Sequence, residues 1–249
     1  MSITRTFMNA EVSEASYADF RVALQPDGSY RTSDVIVALK NIGGTDKGFS
    51  QTQAADFVKH WRVASHQPDM ASGFSATLFE SLDNPGTYTL AIRGTTNAAD
   101  LSTDIWGIGA LGVARDQTYD LYNYFQRLIT PASENVGQWV KTGDTDTING
   151  VSVPHYSYQT AAAAGLGVIV DATGLNTNFN AALTVAGHSL GGHLGLAFSR
   201  LFPNWTQGLF TYNAPGIAAT SVVDIQGIWC KSSPILGIFG INKAAGNFA

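Results

Sequence analysis

A chain of 249 residues with 45 % apolar and 13 % charged residues has enough apolar side chains for a sizeable core, which excludes an intrinsically disordered chain. A formal net charge of -5 argues against nucleic-acid binding, which depends on basic patches. The single cysteine, Cys230, excludes an internal disulfide, and no apolar stretch approaches the roughly 20 residues of a transmembrane segment.

The first 70 residues are predicted to form a helical N-terminal segment. Their start lacks the apolar core of a signal peptide, so the residues alone leave the localisation unknown. Ser50 and Gln53 form the capping-box pattern Ser-x-x-Gln, which is typical of a helix N-terminus. Apolar residues then recur at helical spacing as far as Trp61, and Pro68 prevents the helix from continuing.

Two β-rich stretches and a further helix follow. Residues 74–81 and 87–93 flank the turn signal Asp83-Asn84-Pro85-Gly86, so they are predicted to pair as a hairpin that starts the main sheet. Apolar residues at helical spacing over 121–128 predict an amphipathic helix.

Alternating elements continue towards the C-terminus. Asn149-Gly150 predicts a hairpin turn, and residues 161–172 predict a helix. A short apolar strand over 181–186 leads into a helix over 190–202, and residues 209–213 form another predicted strand. This alternation predicts a single domain over 1–249 of the α/β class, with a mainly parallel sheet flanked by helices.

The strongest functional signal lies at the junction of a predicted strand and helix. There the run Gly187-His188-Ser189-Leu190-Gly191 matches Gly-x-Ser-x-Gly in the strand-turn-helix context that this motif requires. Side chains at 187 and 191 would collide with the neighbouring strand and helix, so glycine is needed at both positions. The turn exposes the Ser189 hydroxyl, and the helix N-terminus behind it directs N–H groups, that of Leu190 first, towards a developing oxyanion. Ser189 is therefore predicted to be a nucleophile.

A second motif, Arg93-Gly94-Thr95, ends the strand predicted over 87–93. Sites in parallel sheets form beyond the carboxyl ends of the strands. Thr95 is therefore placed to offer its backbone N–H, and its hydroxyl, to the same oxyanion. Taken alone, the motif favours the simpler interpretation that Gly94 turns the chain and Arg93 makes a salt bridge.

Together the motifs resemble the class 3 lipase family of α/β-hydrolases, and most of all its bacterial extracellular lipases and phospholipases of the type I-secreted group. The resemblance spans roughly residues 70–216. It rests on Ile92-Arg93-Gly94-Thr95, Asp104-Ile105 and Gly187-His188-Ser189-Leu190-Gly191-Gly192. It implies an α/β-hydrolase fold and an elbow around the nucleophile formed by Gly187, His188 and Gly191.

The resemblance also implies roles for residues near the nucleophile. Thr95 and Leu190 become the oxyanion donors, and the segment from Thr95 to about Gly112, with Asp104 and Trp106, becomes a lid. Trp106 would then meet a lipid–water interface, although core packing explains it equally well. The implied substrate is a lipid ester and the implied location is extracellular. Neither a cofactor nor a metal is implied.

The chain departs from the family where the acid and base are expected. After Ser189 the sole carboxylate is Asp224, the candidate for the catalytic acid, and no histidine follows it. His193, one helical turn beyond the nucleophile, is predicted to be a packing or surface residue. Two explanations stay open. The favoured one is that the chain is truncated or divergent and lacks the closing part of the domain with the catalytic histidine; the other is that an upstream histidine, His155 or His66, has taken that role.

Two function classes follow from these observations. The leading hypothesis is a serine ester hydrolase of lipase type that cleaves triacylglycerol or phospholipid through an acyl-enzyme. The alternative is a catalytically impaired α/β-hydrolase domain that binds lipid or a protein partner, which the missing histidine favours. An acyltransferase or peptidase on the same scaffold is a third hypothesis, because fold alone does not fix chemistry.

Overall fold

The computed structural model describes residues 3–95, 114–131, 134–148, 151–159, 170–171 and 183–216. Its helices are α1 (Ile3–Ala15), α2 (Thr32–Lys40), α3 (Gln51–His60), α4 (Arg115–Ile129) and α5 (Leu190–Leu201). Its strands are β1 (Trp61–Gln67), β2 (Ala76–Ser81), β3 (Tyr88–Ile92), β4 (Asn135–Val136), β5 (Gln138–Ile148), β6 (Val151–Gln159), β7 (Val170–Asp171), β8 (Leu183–His188) and β9 (Thr206–Tyr212).

The N-terminal segment is helical only as far as His60. The predicted capping box is present at the start of α3, where the Ser50 side chain accepts from the Gln53 N–H at 3.2 Å and the Gln53 side chain accepts from the Ser50 N–H at 3.1 Å. The prediction of helix over the whole of 1–70 is wrong beyond this point, because Trp61–Gln67 forms β1. Antiparallel pairing with β2, a non-local contact, overrides the helical spacing of the apolar residues there.

The main sheet has five strands in the order β1-β2-β3-β8-β9. β2 pairs antiparallel with both β1 and β3, whereas β3, β8 and β9 pair in parallel. The sheet is therefore mixed, with every strand except β2 running in one direction. The hairpin predicted from the turn at residues 83–86 is confirmed as β2–β3, although β1 and not this hairpin forms the edge of the sheet.

Helices cover both faces of this sheet, which gives an α/β architecture. Alternate residues of β3 divide between the two sides: Leu90 and Ile92 pack into a core with α4 and α5, and Ala91 packs into a second core with the N-terminal helices. The first core contains an aromatic contact between Phe125 and Phe198, whose ring centroids are 4.8 Å apart at 83°. Within the described ranges, no helix combines the length and the hydropathy that a membrane crossing requires.

Two smaller sheets lie outside the five-stranded one. β5 and β6 pair antiparallel as far as Ile148 and Val151, and the turn predicted at residues 149–150 lies between them, outside the described residues. The helix predicted over 161–172 is wrong at Val170–Asp171, which forms β7 and pairs with β4. The rest of that prediction lies outside the described residues.

Candidate active site

Ser189 occupies a tight bend between β8 and α5. Its backbone has φ 54° and ψ -127°, a conformation that is rare for any residue with a side chain and costs of order 1–3 kcal/mol. The bend is fixed on both sides of the serine. The Ser189 N–H donates to the carbonyl of Tyr212 at 2.8 Å, and its own carbonyl accepts from the N–H groups of Gly192 and His193 at 3.0 and 3.2 Å. Neighbouring backbone therefore maintains the strain at Ser189.

The glycines on either side of the serine leave room for backbone and not for side chains. A methyl group added at Gly187 would lie 2.4 Å from the carbonyl carbon and oxygen of Gly191. One added at Gly191 would lie 2.0 Å from the carbonyl oxygen of Ile92, at the end of β3. Contacts this short are with main-chain atoms that have no freedom to rotate away. The first turn of α5 therefore packs directly on the ends of β8 and β3 because both positions are glycine.

The Arg93-Gly94-Thr95 segment lies against the same bend. β3 and β8 are parallel neighbours with Ile92 opposite Gly187, so their carboxyl ends meet at one edge of the sheet. Gly94 is buried there, and a methyl group on it would lie 2.5 Å from the His188 carbonyl oxygen and 3.4 Å from Cβ of Ser189. Thr95, the next residue, is half-buried at this edge. The two motifs recognised in the sequence are therefore adjacent in space.

Amide hydrogens are concentrated at the bend. The N–H groups of Leu190 and Gly191, the first two residues of α5, make no backbone hydrogen bond to any residue that the structure describes. A helix N-terminus also carries a partial positive charge. An oxygen that gains negative charge beside Ser189 would therefore face N–H donors that need no rearrangement.

The Arg93 side chain is engaged in an ion pair. Its guanidinium pairs with Asp69, and its side chain is 13 % exposed. The salt bridge proposed as the simpler interpretation of the motif is therefore present, while Gly94 makes the close approach to the bend. The Arg93 part of the simpler interpretation is therefore confirmed, and the oxyanion role of Thr95 stays a prediction.

His193, one turn along α5, is a packing residue. It is fully buried, its Nε2 accepts from the Ala114 N–H at 3.3 Å, and its Nδ1 bonds the Pro215 carbonyl at 3.3 Å. Burial lowers the pKa of its imidazole, so the ring is held neutral with the proton on Nδ1. This outcome agrees with the packing role predicted for it and rules out the surface role.

The two upstream histidines considered as replacements for the base are not bonded to the serine. His66 is opposite Thr77, Thr77 is opposite Ala91, and Ala91 is opposite Ala186, so three strand spacings, about 14 Å, separate His66 from β8. Its Nδ1 bonds the Thr77 hydroxyl at 2.9 Å. His155 lies on β6, with its carbonyl accepting from the Thr142 hydroxyl at 3.4 Å.

All five histidines of the sequence lie in the described ranges. The remaining two are His60, whose Nδ1 pairs with Asp83 at 2.8 Å, and His188, whose Nδ1 lies 3.2 Å from the hydroxyl of Tyr17. Across the described part of the chain, no hydrogen bond joins an imidazole to the Ser189 hydroxyl. Among the described residues, the bend and its amides are therefore assembled without a hydrogen-bonded imidazole.

Three residues with sequence-predicted roles lie outside the described residues: Asp224, the candidate acid, and Asp104 and Trp106 of the lid segment. The contact that sequence reasoning missed is Tyr17, which reaches His188 across a separation of 171 residues. Local sequence patterns carry no signal for such a contact. Nowhere in the described ranges do three or more His, Cys, Asp or Glu side chains converge as they would around a metal ion.

Comparisons with known proteins find similarity among solved structures only. No protein-family model matches the chain, and no curated protein matches it. Among solved structures, the chain is similar to the Lip2 lipase from Yarrowia lipolytica, with 16 % sequence identity and a TM-score of 0.37. The similarity covers 92 % of this chain, which spans 66 % of the length of that lipase. A likeness at this level does not by itself assign a family, an activity or a substrate to this chain.

Proposed function

We propose that the chain is a serine ester hydrolase of lipase type on an α/β-hydrolase fold, acting on lipid carboxylic esters through an acyl-enzyme. One observation carries the proposal: Ser189 stands at a strained strand-to-helix bend, against which the Gly94 backbone is packed. A strained backbone at a bend between a strand and a helix N-terminus is typical of an exposed nucleophile.

The proposed chemistry uses this bend in two steps. Oγ of Ser189 attacks the ester carbonyl, and the Oγ proton passes to a base. The carbonyl oxygen becomes an oxyanion that accepts from the N–H groups of Leu190 and Thr95. Collapse of this intermediate breaks the bond to the alcohol oxygen, which takes up a proton and leaves. Water then attacks the acyl-enzyme through a second oxyanion at the same donors and releases the fatty acid. Each such donor is worth about 10²–10³ in kcat in serine hydrolases.

A second candidate function is a catalytically impaired domain that binds lipid esters or a protein partner. The observation that favours it is that, within the part of the chain that the structure describes, no hydrogen bond joins an imidazole to the Ser189 hydroxyl. Hydrogen bonds of this kind often lengthen in structures without substrate, so the two candidates differ in the rate they predict and not in the bend itself. The second candidate predicts binding of ester without turnover.

Hydrolysis of nitrophenyl butyrate, nitrophenyl laurate and emulsified triolein tests the proposal, with Ser189→Ala as the inactive variant. Ser199→Ala is the matched control, because Ser199 lies on the same helix and its hydroxyl, among the described residues, bonds the Leu196 carbonyl at 2.8 Å. We expect turnover by the wild type and by Ser199→Ala, and at least a hundredfold loss in Ser189→Ala. Equal rates in the wild type and Ser189→Ala would refute serine catalysis. Binding of ester vesicles without turnover would establish the second candidate instead.

A further inference from the structure

We infer that Tyr17 is a positioning residue for the oxyanion site, holding the two backbone segments that supply its donors at a fixed separation. This inference rests on the proposed function. Tyr17 lies two residues beyond the end of α1, and its hydroxyl lies 3.2 Å from Nδ1 of His188. The same hydroxyl would lie 2.5 Å from a methyl group placed on Gly94. One oxygen atom therefore contacts the segments on both sides of the site.

The Tyr17 hydroxyl keeps its proton. Partial burial raises the pKa of the phenol, and the nearby Gly94 backbone partly offsets that rise. The phenol can therefore donate its proton to Nδ1 of His188. In that arrangement the His188 proton lies on Nε2.

The position of these contacts along the chain explains why they matter for the donors. Gly94 immediately precedes Thr95, and His188 is separated from Leu190 by Ser189 alone. Both amides assigned to the oxyanion thus lie within two residues of a group in contact with one hydroxyl. Displacing a donor by about 1 Å is enough to reduce turnover by up to about a hundredfold, because the charge in the transition state is localised.

The tyrosine is itself held firmly enough to act in this way. Its N–H bonds the Glu14 carbonyl at 3.1 Å, in the tight turn that ends α1. Ala15 and Ala18 on either side are 0 % and 3 % exposed, and the Tyr17 ring packs against the N-terminal core. The hydroxyl therefore transmits the position of the N-terminal helices to the bend at Ser189.

Tyr17→Phe tests this inference, because it removes one oxygen atom and keeps the ring. Tyr30→Phe is the matched control. Tyr30 packs against the same core, and its hydroxyl lies near the backbone of His66 on the far edge strand β1. We expect Tyr17→Phe to lower kcat for nitrophenyl butyrate by at least tenfold with KM within twofold, and to weaken inhibition by butylboronic acid by a similar factor. Tyr30→Phe is expected to leave kcat and the inhibition unchanged. Its urea midpoint of unfolding is expected to shift by about as much as that of Tyr17→Phe.

A second measurement does not depend on turnover. In ¹⁵N-labelled protein we expect Tyr17→Phe to shift the amide resonances of Thr95 and Leu190 and the Nδ1 resonance of His188, and Tyr30→Phe to leave them in place. Unchanged amides, or a kcat within twofold of the wild type, would overturn the positioning role while Ser189-dependent turnover stands. A wild-type rate equal to that of Ser189→Ala would instead overturn the proposed function, and with it the catalytic role of Tyr17.

Discussion

Replacing Gly191 by alanine should separate α5 from the sheet, whereas the same replacement at Gly195 should not. The two glycines lie one turn apart on the same helix, and neither has a positive φ, so alanine is compatible with both backbones. At Gly191 the added methyl group would lie 2.0 Å from the Ile92 carbonyl oxygen and 2.8 Å from the carbonyl carbons of Ile92 and Arg93. At Gly195 it would lie 3.1 Å from Cδ1 of Leu209 and 3.4 Å from Cγ1 of Val185.

The expected change in the free energy of unfolding depends on which atoms the added methyl group would contact. At Gly191 they are main-chain atoms, so relief requires α5 to move by roughly 1 Å or more to restore van der Waals separation. Overpacking of this kind costs about 1–3 kcal/mol and occasionally more. Alanine gains about 1 kcal/mol over glycine in a helix interior, which offsets part of that penalty. At Gly195 the struck atoms are side-chain ends that shift by a few tenths of an ångström, so the helix gain remains.

We therefore expect Gly191→Ala to lower the free energy of unfolding by about 2 kcal/mol, and Gly195→Ala to change it by less than about 1 kcal/mol in either direction. Urea titration followed by far-UV circular dichroism measures both values, and ester hydrolysis reports whether the bend survives. Equal stabilities for the two variants would contradict the assignment of Gly191 to the contact between α5 and β3. So would full activity in Gly191→Ala.

Two further predictions concern strain and titration. Ser189→Gly should unfold with a free energy about 1 kcal/mol higher than Ser189→Ala, because glycine relieves the positive φ, while both variants are inactive; equal urea midpoints would contradict the strain. Burial lowers the pKa of His66 to about 4 from 6.5, although Asp19 opposes the shift, so protonation favours the unfolded chain. About 3 kcal/mol of stability, fully present above pH 6.5, should be lost as the pH falls to 4, and urea unfolding of His66→Gln should lack most of this loss. An unchanged pH dependence in that variant would refute the assignment.

Local signals made the bend predictable from sequence. An apolar strand, two glycines with no room for a side chain and an amphipathic helix occur within 20 residues around Ser189, so neighbouring residues determine the geometry. The β2–β3 hairpin was predictable for the same reason, because the turn at residues 83–86 lies between its strands. The placement of Gly94 against the bend followed from the rule that sites form at the carboxyl ends of parallel strands.

Long-range contacts explain what was missed. Trp61 continues the apolar spacing of α3, yet it starts β1 because it pairs with Ser81. That partner lies 20 positions further along the chain, where the local spacing gives no sign of it. The contact from Tyr17 to His188 spans 171 residues. His193 is buried by Ala114 and Pro215, which no helical wheel of α5 would place beside it. A single sequence indicates the conformational preference of each residue, but it does not indicate which distant residue that residue will contact.

A serine hydrolase needs both a bend that exposes the nucleophile and an imidazole base. Among the described residues, this fold forms the bend without an imidazole bonded to the serine. Serine hydrolases that lose a triad member keep about 10³–10⁴-fold acceleration over water from their oxyanion donors and substrate binding. The bend alone therefore supplies a slow rate that does not require the Ser189 hydroxyl, and a hundredfold loss in Ser189→Ala reports a base that activates the serine. His193 is the imidazole nearest to Ser189 in the sequence beyond its elbow, but both of its ring nitrogens are engaged, by Ala114 and Pro215. Turning it towards the serine would break two buried hydrogen bonds at about 1–3 kcal/mol each, in a core with no exposed surface at that ring. Fast turnover would thus require a base other than His193.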